Sequence, residues 1–295
     1  MLIDSFLGYL RFEKACSEKT IQSYGKDLRQ FEAFLKENVD KEHSLEQTDA
    51  DMIREWVSLL MDMGFTSTSV NRKLSSLRSF FKYLIKKNIV TIDPTKKITG
   101  PKNKKVLPVF VREDEINRLL DDVEFEEGFV GVRDKAIIET FYLTGIRLSE
   151  LISIKDVDVD FYSQTVKVTG KRNKQRIIPF DDELRKTLLE YINVRNEVVV
   201  SQNNGFLFVK ETGECLNKDI VYRVVKKNLS KVVTLKKRSP HVLRHSFATA
   251  LLNNSAELGA VKELLGHVNI ATTELYTHTT FEELKKAYSK AHPRS

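Results

Sequence analysis

The sequence contains little of what marks several other classes of protein. Only Cys16 and Cys215 are cysteines, and they lie far apart, so neither a disulfide framework nor a paired-cysteine metal clip is expected. No run approaches the ~20 apolar residues of a membrane span, and the first four residues do not start a signal peptide. With 12 glycines and 6 prolines in 295 residues, collagen-like and long flexible segments are excluded. A protein of the reducing cytosol is expected.

What the chain does contain is enough apolar material for real cores and a modest excess of positive charge. Hydrophobic residues make up 41%, and the length predicts two domains at roughly 150 residues each. Lysine and arginine number 48 against 41 acidic residues, a net charge of +7. That excess fits a polyanionic partner, most often a nucleic acid, although many proteins without such a partner carry the same charge.

The first 90 residues are predicted to form a bundle of four amphipathic helices. The helices are expected over about 2–14, after an N-cap at Ser17, over about 49–63, and after Gly64 with Ser67 or Ser69 near the cap. The fourth helix has a face of small polar and cationic residues that suits a DNA backbone and groove, although a solvated basic face is the more ordinary interpretation of that helix alone. This face consists of Asn71, Arg72, Lys73, Ser75, Arg78, Ser79 and Lys82.

The helical pattern stops between residues 91 and 105. Pro94 disfavours helix, and the lysine-rich segment that follows, including Lys102 and Lys104, has the composition of a linker that suits contact with phosphates. We therefore predict a DNA-binding helical domain over 1–88, a linker over 89–105 and a second domain over 106–295.

The second domain is predicted to mix helices with a small sheet. Residues 165–169 alternate as a strand does, and 176–179 are its expected partner across a basic hairpin tip containing Lys171, Arg172 and Lys174. A third short strand is expected at 206–209. Helices are predicted over about 113–120, 133–143, 181–193, 218–228, 240–253, 257–266, 270–277 and 281–290.

One segment, SPHVLRHSF at 239–247, predicts an anion site. Serine followed by proline is a strong helix start, and it puts His241 and Arg244 on one face near a helix N-terminus, where the dipole favours an anion. Arginine offers a two-pronged contact to phosphate. A metal site formed by His241 and His245 would need a third ligand, and His245 is interpreted instead as a core histidine beside Phe247.

Two further motifs place candidate functional residues at helix ends. In TGIRLSEL, Gly145 can end a helix, Arg147 lies at the junction, and Glu150 can orient a cation or cap backbone. In LLGH, Gly266 ends a helix just before His267, and Tyr276 follows nine positions later. A free tyrosine has a pKa of about 10, so a nucleophilic one needs cations near its target.

Taken in order, TGIRLSEL, GKRNKQRIIP, HVLRHSFAT, LLGH and the later tyrosine resemble the tyrosine site-specific recombinase (phage integrase) family. The closing KAYSKAHPRS and the length look most like bacterial Xer-type recombinases. The resemblance implies a mainly α protein with a small β-sheet (α+β). Its parts would be an N-terminal four-helix core-binding (SAM-like) bundle and a C-terminal tyrosine recombinase catalytic domain.

The resemblance also implies a catalytic set and a mechanism without metal, cofactor or ATP. Tyr276 would be the nucleophile that forms a 3′-phosphotyrosyl link, and the reaction would pass through a Holliday junction. The family often has glycine where Arg172 stands, and we favour Lys171 over Lys174 as the catalytic lysine. The implied catalytic residues are Arg147, Lys171, His241, Arg244, His267 and Tyr276. The candidate DNA-binding residues are Asn71, Arg72, Lys73, Arg78, Lys82, Lys102, Lys104, Arg172 and Lys174.

The implied partners are a duplex recombination site, a tetramer formed alone or with a paralogue, and a DNA translocase as activator. The implied setting is the bacterial cytoplasm, at the nucleoid, with chromosome or plasmid dimers as substrate. The alternative of a mobile-element integrase or transposase is less favoured because such proteins often carry an arm-binding domain ahead of the bundle. A non-catalytic DNA-binding protein, a type IB topoisomerase and a metal-dependent nuclease are further alternatives. The last helix, with Phe281, Leu284 and Tyr288, is expected either on a neighbouring protomer or on its own domain.

Overall fold

The computed structural model of the chain describes residues 1–40, 42–103, 109–170, 173–199, 205–235, 237–266 and 288–291. It divides into two compact units, Met1–Val106 and Leu107–Ser295. Several residues singled out from the sequence lie outside the described residues: Lys104, Lys171, Arg172, His267, Tyr276, Phe281 and Leu284. No helix in the described ranges is long and apolar enough to cross a membrane.

The first unit is the expected bundle of four helices. Ser17 is confirmed as an N-cap, since its side chain accepts from the backbone N–H of Thr20. The fourth helix is capped by Thr66 rather than by Ser67 or Ser69, because the Thr66 hydroxyl accepts from the N–H of Ser69 at 3.3 Å. Trp56 is buried against Phe31 in the core. The helices are α1 (Leu2–Phe12), α2 (Glu18–Asn38), α3 (Ala50–Asp62) and α4 (Ser67–Lys86).

The placement of Lys73 on an exposed face of α4 was wrong. Lys73 is only 4% exposed, and its ammonium group lies 3.1 Å from the carboxylate of Asp27, which is itself buried on α2. A buried carboxylate is costly unless it is paired, and Lys73 supplies the charge that it needs. Arg72 also binds Asp27, from the surface side. The pair therefore joins α2 to α4 inside the bundle.

The second unit packs its helices around α6, which is buried on nearly every side. The hairpin predicted from the alternating pattern is confirmed, and Lys167 is paired with Ile177 in an antiparallel register. Within the described residues, this unit has three strands, β1 (Val159–Asp160), β2 (Thr165–Thr169) and β3 (Gln175–Pro179), in the order β1-β2-β3. The helices are α5 (Glu113–Asn117), continued by a π-helical turn (Arg118–Asp122), α6 (Gly128–Thr144), α7 (Leu148–Ser153), α8 (Asp182–Val198), α9 (Lys218–Leu229), α10 (Pro240–Asn253) and α11 (Leu258–Leu265).

The expected strand at 206–209 is not formed. Phe206 and Val209 each make only an isolated bridge, to Lys155 and to Cys215. The carbonyls of Phe206 and Leu207 accept instead from the buried guanidinium of Arg195 on α8. An arginine therefore satisfies backbone groups that a neighbouring strand would otherwise bind.

The described part of the last helix lies on its own unit. Tyr288 is buried, with its ring centroid 6.5 Å from that of Phe247 on α10, and Asn254 donates to the carbonyl of Ala291 at 2.9 Å. The fold class expected from the sequence, mainly α with a small sheet, is confirmed.

Candidate active site

The turn between α6 and α7 organises one side of the site. Gly145 ends α6 in the left-handed conformation (φ 59°, ψ 21°), which glycine adopts without steric cost. Arg147 then caps α7, and Glu150 accepts both from the backbone N–H of Arg147 and from its Nη1, each at 2.8 Å. Glu150 thus does both things expected of it: it caps the helix and orients the cation.

Arg176 on β3 is the partner of Glu150 that the sequence did not reveal. Its Nη1 and Nη2 donate to the two oxygens of Glu150 at 2.8 and 2.9 Å, and its Nε donates to the carbonyl of Leu264 at 2.8 Å. Glu150 is 1% exposed. Burial alone would raise the pKa of Glu150, but hydrogen bonds from Arg176 and Arg147 outweigh it and lower the pKa to about 2. The buried carboxylate is therefore charged at neutral pH.

A signal for Arg176 was present in the strand pattern. Arg176 is paired in register with Val168, which is buried, so the arginine occupies the inward-facing phase of β3. A cation in an inward phase requires a buried acid, and Glu150 is the acid that the structure supplies.

Arg244 is held between two helix ends. It lies on α10 and is 8% exposed, with Nη1 2.5 Å from the carbonyl of Gly145 and Nη2 2.6 Å from that of Leu265. These carbonyls close the C-termini of α6 and α11, where the helix dipoles favour a cation. Burial, followed by repulsion from Arg147 and Arg176, lowers the pKa of Arg244 to about 10. Arg244 still carries its charge at neutral pH.

Among the residues that the structure describes, the site has more positive than negative charge. Arg147 donates through Nη2 to the carbonyl of Gly266 at 2.9 Å, which brings it to the same end of α11 as Arg244. Within the described residues, Glu150 is the only carboxylate paired with Arg147 or Arg176, and Arg244 is held by carbonyls. Three guanidinium groups around one carboxylate leave two positive charges in a partly buried place. Such an arrangement binds an anion such as a phosphodiester.

The two histidines of α10 lie on its outer side. His241 is in the first turn and His245 one turn later, and both are exposed. The interpretation of His245 as a core histidine was wrong, because the buried face of this helix is formed by Val242, Leu243 and Phe247. Across the described ranges, no group of three or more histidine, cysteine or acidic side chains is placed to hold a metal ion.

The remaining predicted catalytic residues lie outside the described residues, although the structure describes the backbone beside two of them. Gly170 donates to the carbonyl of Lys174 at 2.8 Å, which closes the base of the hairpin around positions 171 and 172. Lys174 itself is exposed. Gly266 takes a left-handed conformation (φ 62°) directly before position 267.

In the first unit, the segment after α4 is fixed along that helix. Asn71 donates to the carbonyl of Pro101, and Arg78 to that of Ile98, both at 2.8 Å. A side chain at Gly100 would collide with the amide oxygen of Asn71, so the Asn71 side chain would have to leave its present position against this segment. Lys82 and Lys102 remain exposed.

Comparison with known proteins assigns the family. Residues 3–88 match the phage integrase N-terminal SAM-like domain, and residues 109–283 match the phage integrase family. The chain therefore belongs to the phage integrase family of tyrosine site-specific recombinases, enzymes that cleave and rejoin DNA strands.

Its relatives include Xer recombinases. Tyrosine recombinase XerC of Staphylococcus aureus (strain USA300) is 39% identical over 292 residues, covering 99% of this chain and 96% of the relative. XerC of Pelotomaculum thermopropionicum is 38% identical over 302 residues, covering 99% and 98%. The XerH recombinase bound to palindromic difH substrate in a post-cleavage complex has a TM-score of 0.73 at 26% identity, covering 91% of this chain and 79% of that one. The Tn1549 transposon integrase bound to transposon right end DNA shares the fold, with a TM-score of 0.73 at 20% identity, covering 98% of each chain.

Proposed function

We propose that Arg147 and Arg244 bind the scissile phosphodiester of a recombination site and that Tyr276 attacks its phosphorus. The observation that carries this proposal is the seat of Arg244, a buried cation held by two helix-end carbonyls beside Arg147. Donors fixed in this way need no reorganisation as negative charge develops on the non-bridging oxygens. The order of motifs around them supports Tyr276 as the nucleophile.

The remaining steps use residues that match the family's motifs. Lys171 protonates the departing 5′-oxygen as general acid, and His241 and His267 donate hydrogen bonds and assist proton movement at the tyrosine. The products are a 3′-phosphotyrosyl link and a free 5′-hydroxyl. A 5′-hydroxyl from a second strand then attacks that link, which gives a Holliday junction and, after a second round, recombinant DNA. Because the phosphotyrosyl link retains the energy of the phosphodiester, ATP is not required.

DNA contacts are proposed along α4 and at the hairpin. Asn71 and Arg78 hold the following segment against α4, which would keep Lys102 on the surface that faces the DNA backbone. We exclude Lys73 from this surface because it is buried with Asp27. The proposed contacts are Asn71, Arg72, Arg78, Lys82, Lys102, Lys104, Arg172 and Lys174.

The biological role that we propose is resolution of chromosome or plasmid dimers at cell division. The support is the identity of 38–39% with XerC relatives over 99% of this chain. In this role the protein acts in the bacterial cytoplasm at the nucleoid, as a tetramer formed alone or with a paralogue and activated by a DNA translocase. Deleting the gene should give filamentous cells with unresolved chromosome dimers. A mobile-element integrase would leave cell division unaffected.

The chemistry is tested with a DNA substrate nicked beside the cleavage point, in the presence of EDTA. We expect wild type and Tyr162→Phe, which changes a fully exposed tyrosine, to become covalently linked to DNA, and Tyr276→Phe to form no adduct. An adduct with Tyr276→Phe would show that another residue is the nucleophile. Loss of the wild-type reaction in EDTA would overturn the metal-free mechanism.

A further inference from the structure

Glu150 is shared by two arginines, and they use it differently. Arg176 contacts both carboxylate oxygens through its two terminal nitrogens, whereas the side chain of Arg147 contacts only Oε1. The fourth hydrogen bond to the carboxylate comes from the backbone N–H of Arg147. The side chain of Arg147 is 31% exposed and that of Arg176 only 15%. The more buried arginine thus makes the bidentate pair, and the more accessible one keeps N–H groups for a ligand.

We propose that Arg176 is a positioning residue for strand cleavage: it neutralises Glu150, so that the charge of Arg147 is available to the scissile phosphate. This inference rests on the proposed function, in which Arg147 binds that phosphate. Without Arg176, the buried carboxylate would have Arg147 as its counterion. An unpaired buried carboxylate is costly, so Glu150 would then draw Arg147 away from the DNA.

The third hydrogen bond of Arg176 fixes the position of its guanidinium group beside Glu150. Nε donates to the carbonyl of Leu264 at the end of α11, while the two terminal nitrogens face Glu150. Gly266 leaves room for the guanidinium, since a Cβ there would lie 3.2 Å from both Cδ and Nη1 of Arg176. Lysine has one compact charge and cannot reproduce the planar fork at these three acceptors. Arg176 therefore supplies both a charge and a fixed direction.

The test is a pair of substitutions and their combination, measured as the single-turnover rate of covalent adduct formation on nicked DNA. We expect Arg176→Gln to slow adduct formation about 10- to 100-fold, as displacement of a positioning group does. Adding Glu150→Gln to that variant removes the unpaired buried charge and should restore part of the rate. Arg176→Lys, which keeps the charge, should fall between wild type and Arg176→Gln. Arg185→Gln, an exposed arginine on α8, is the control for loss of one positive charge.

The result depends on whether adding Glu150→Gln raises or lowers the rate of adduct formation by the Arg176→Gln variant. If Arg176 only supports the fold, the double variant will be as slow as Arg176→Gln or slower, and the proposal is overturned. If Arg176→Gln does not fold, as judged by circular dichroism, the double variant is compared with Glu150→Gln alone. Arg176→Gln in the Glu150→Gln background should then change the rate by less than about 3-fold, since its partner charge is gone. A loss of 10-fold or more there would refute the proposal.

The failure of this inference differs from failure of the proposed function. If wild type forms no adduct, the proposed chemistry is wrong. If wild type forms the adduct and Arg176→Gln forms it at the wild-type rate, only the role of Arg176 is lost.

Discussion

Arg244 donates through Nη1 to the backbone carbonyl of Gly145 at 2.5 Å, although the two residues are 99 positions apart in the chain. The contact joins two of the motifs that carry the family resemblance. Gly145 ends a helix because its left-handed conformation is free of steric cost, and the carbonyl exposed by that ending seats the arginine. The glycine therefore serves the site through backbone geometry.

Replacing Gly145 by alanine should destabilise the second unit. The added Cβ would stand 2.8 Å from Cε1 of Phe247 and 3.0 Å from Cδ2 of Leu265, in a backbone region that disfavours a side chain. The strain of the left-handed conformation and the overpacking together should lower the free energy of unfolding by about 2–5 kcal/mol. The measurement is urea unfolding monitored by circular dichroism.

Gly64→Ala is the matched control. Gly64 also has a positive φ, of 80°, but its added Cβ would meet no atom within 4 Å. Gly64→Ala should lower the free energy of unfolding only by the cost of the left-handed conformation, about 1–2 kcal/mol. Equal losses at the two positions would show that contact with Phe247 does not matter.

The pKa of Glu150 predicts an acid-dependent contribution to stability. The folded-state pKa of about 2 lies below the ordinary glutamate value of about 4.3, so the unfolded chain takes up the proton first as pH falls. The contribution is present above about pH 5 and is lost as the pH falls toward 2.

Its size is about 3 kcal/mol, from 1.36 kcal/mol for each unit of pKa. The check is the difference in free energy of unfolding between wild type and Glu150→Gln, measured from pH 7 to pH 2. That difference should shrink steadily between pH 5 and pH 2. A difference that stays constant with pH would show that folding does not shift the pKa of Glu150.

Arg244→Lys should separate catalysis from DNA affinity. Lysine keeps the charge but cannot reach the carbonyls of Gly145 and Leu265 together. Loss of a positioned donor predicts adduct formation slower by about 100-fold or more. Affinity for the uncleaved site, measured by fluorescence anisotropy, should change by less than about 3-fold because the number of cations facing phosphates is unchanged. A parallel fall in affinity and rate would assign Arg244 to binding alone.

The buried pair in the bundle predicts a large effect from a single charge. Asp27→Ala leaves the ammonium group of Lys73 buried without its carboxylate, which should cost about 3–5 kcal/mol. Asp4→Ala is the control, since its pair with Arg29 is exposed and should contribute about 0–1 kcal/mol. Trp56, the only tryptophan of the chain, lies in this bundle, so its fluorescence follows the unfolding of the first unit. Similar losses in the two variants would contradict the burial of the pair.

The sequence predicted the elements whose pattern is local. The spacing of apolar residues predicted the four helices of the bundle, and strict alternation predicted the hairpin, because both patterns follow the repeat of the backbone itself. It missed β1, since two residues are too few to show alternation, and it predicted a strand at 206–209 where Arg195 takes the backbone carbonyls.

Residues of the candidate site could be predicted from the sequence where they belong to motifs with a recognisable spacing. They could not be predicted where their role depends on a partner that only the fold brings close. Arg147, Glu150 and Arg244 were singled out because their motifs have recognisable spacing. Lys73 and Arg176 were not understood, since their partners Asp27 and Glu150 lie 46 and 26 residues away. Basic residues look alike in a sequence, and only the position of the acid distinguishes a cation held inside from one offered to DNA.

The seat of Arg244 also bears on how an inactive protein should be made for trapping intact DNA complexes. Truncating Arg244 would remove the hydrogen bonds that join the ends of α6 and α11, so the trapped geometry would differ from that of the working enzyme. His241 is exposed on α10, and replacing it leaves that junction in place. If the proposed roles of His241 and Tyr276 hold, a complex that represents the state before cleavage is therefore better obtained by replacing one of these two residues than by removing the arginine around which the site is assembled.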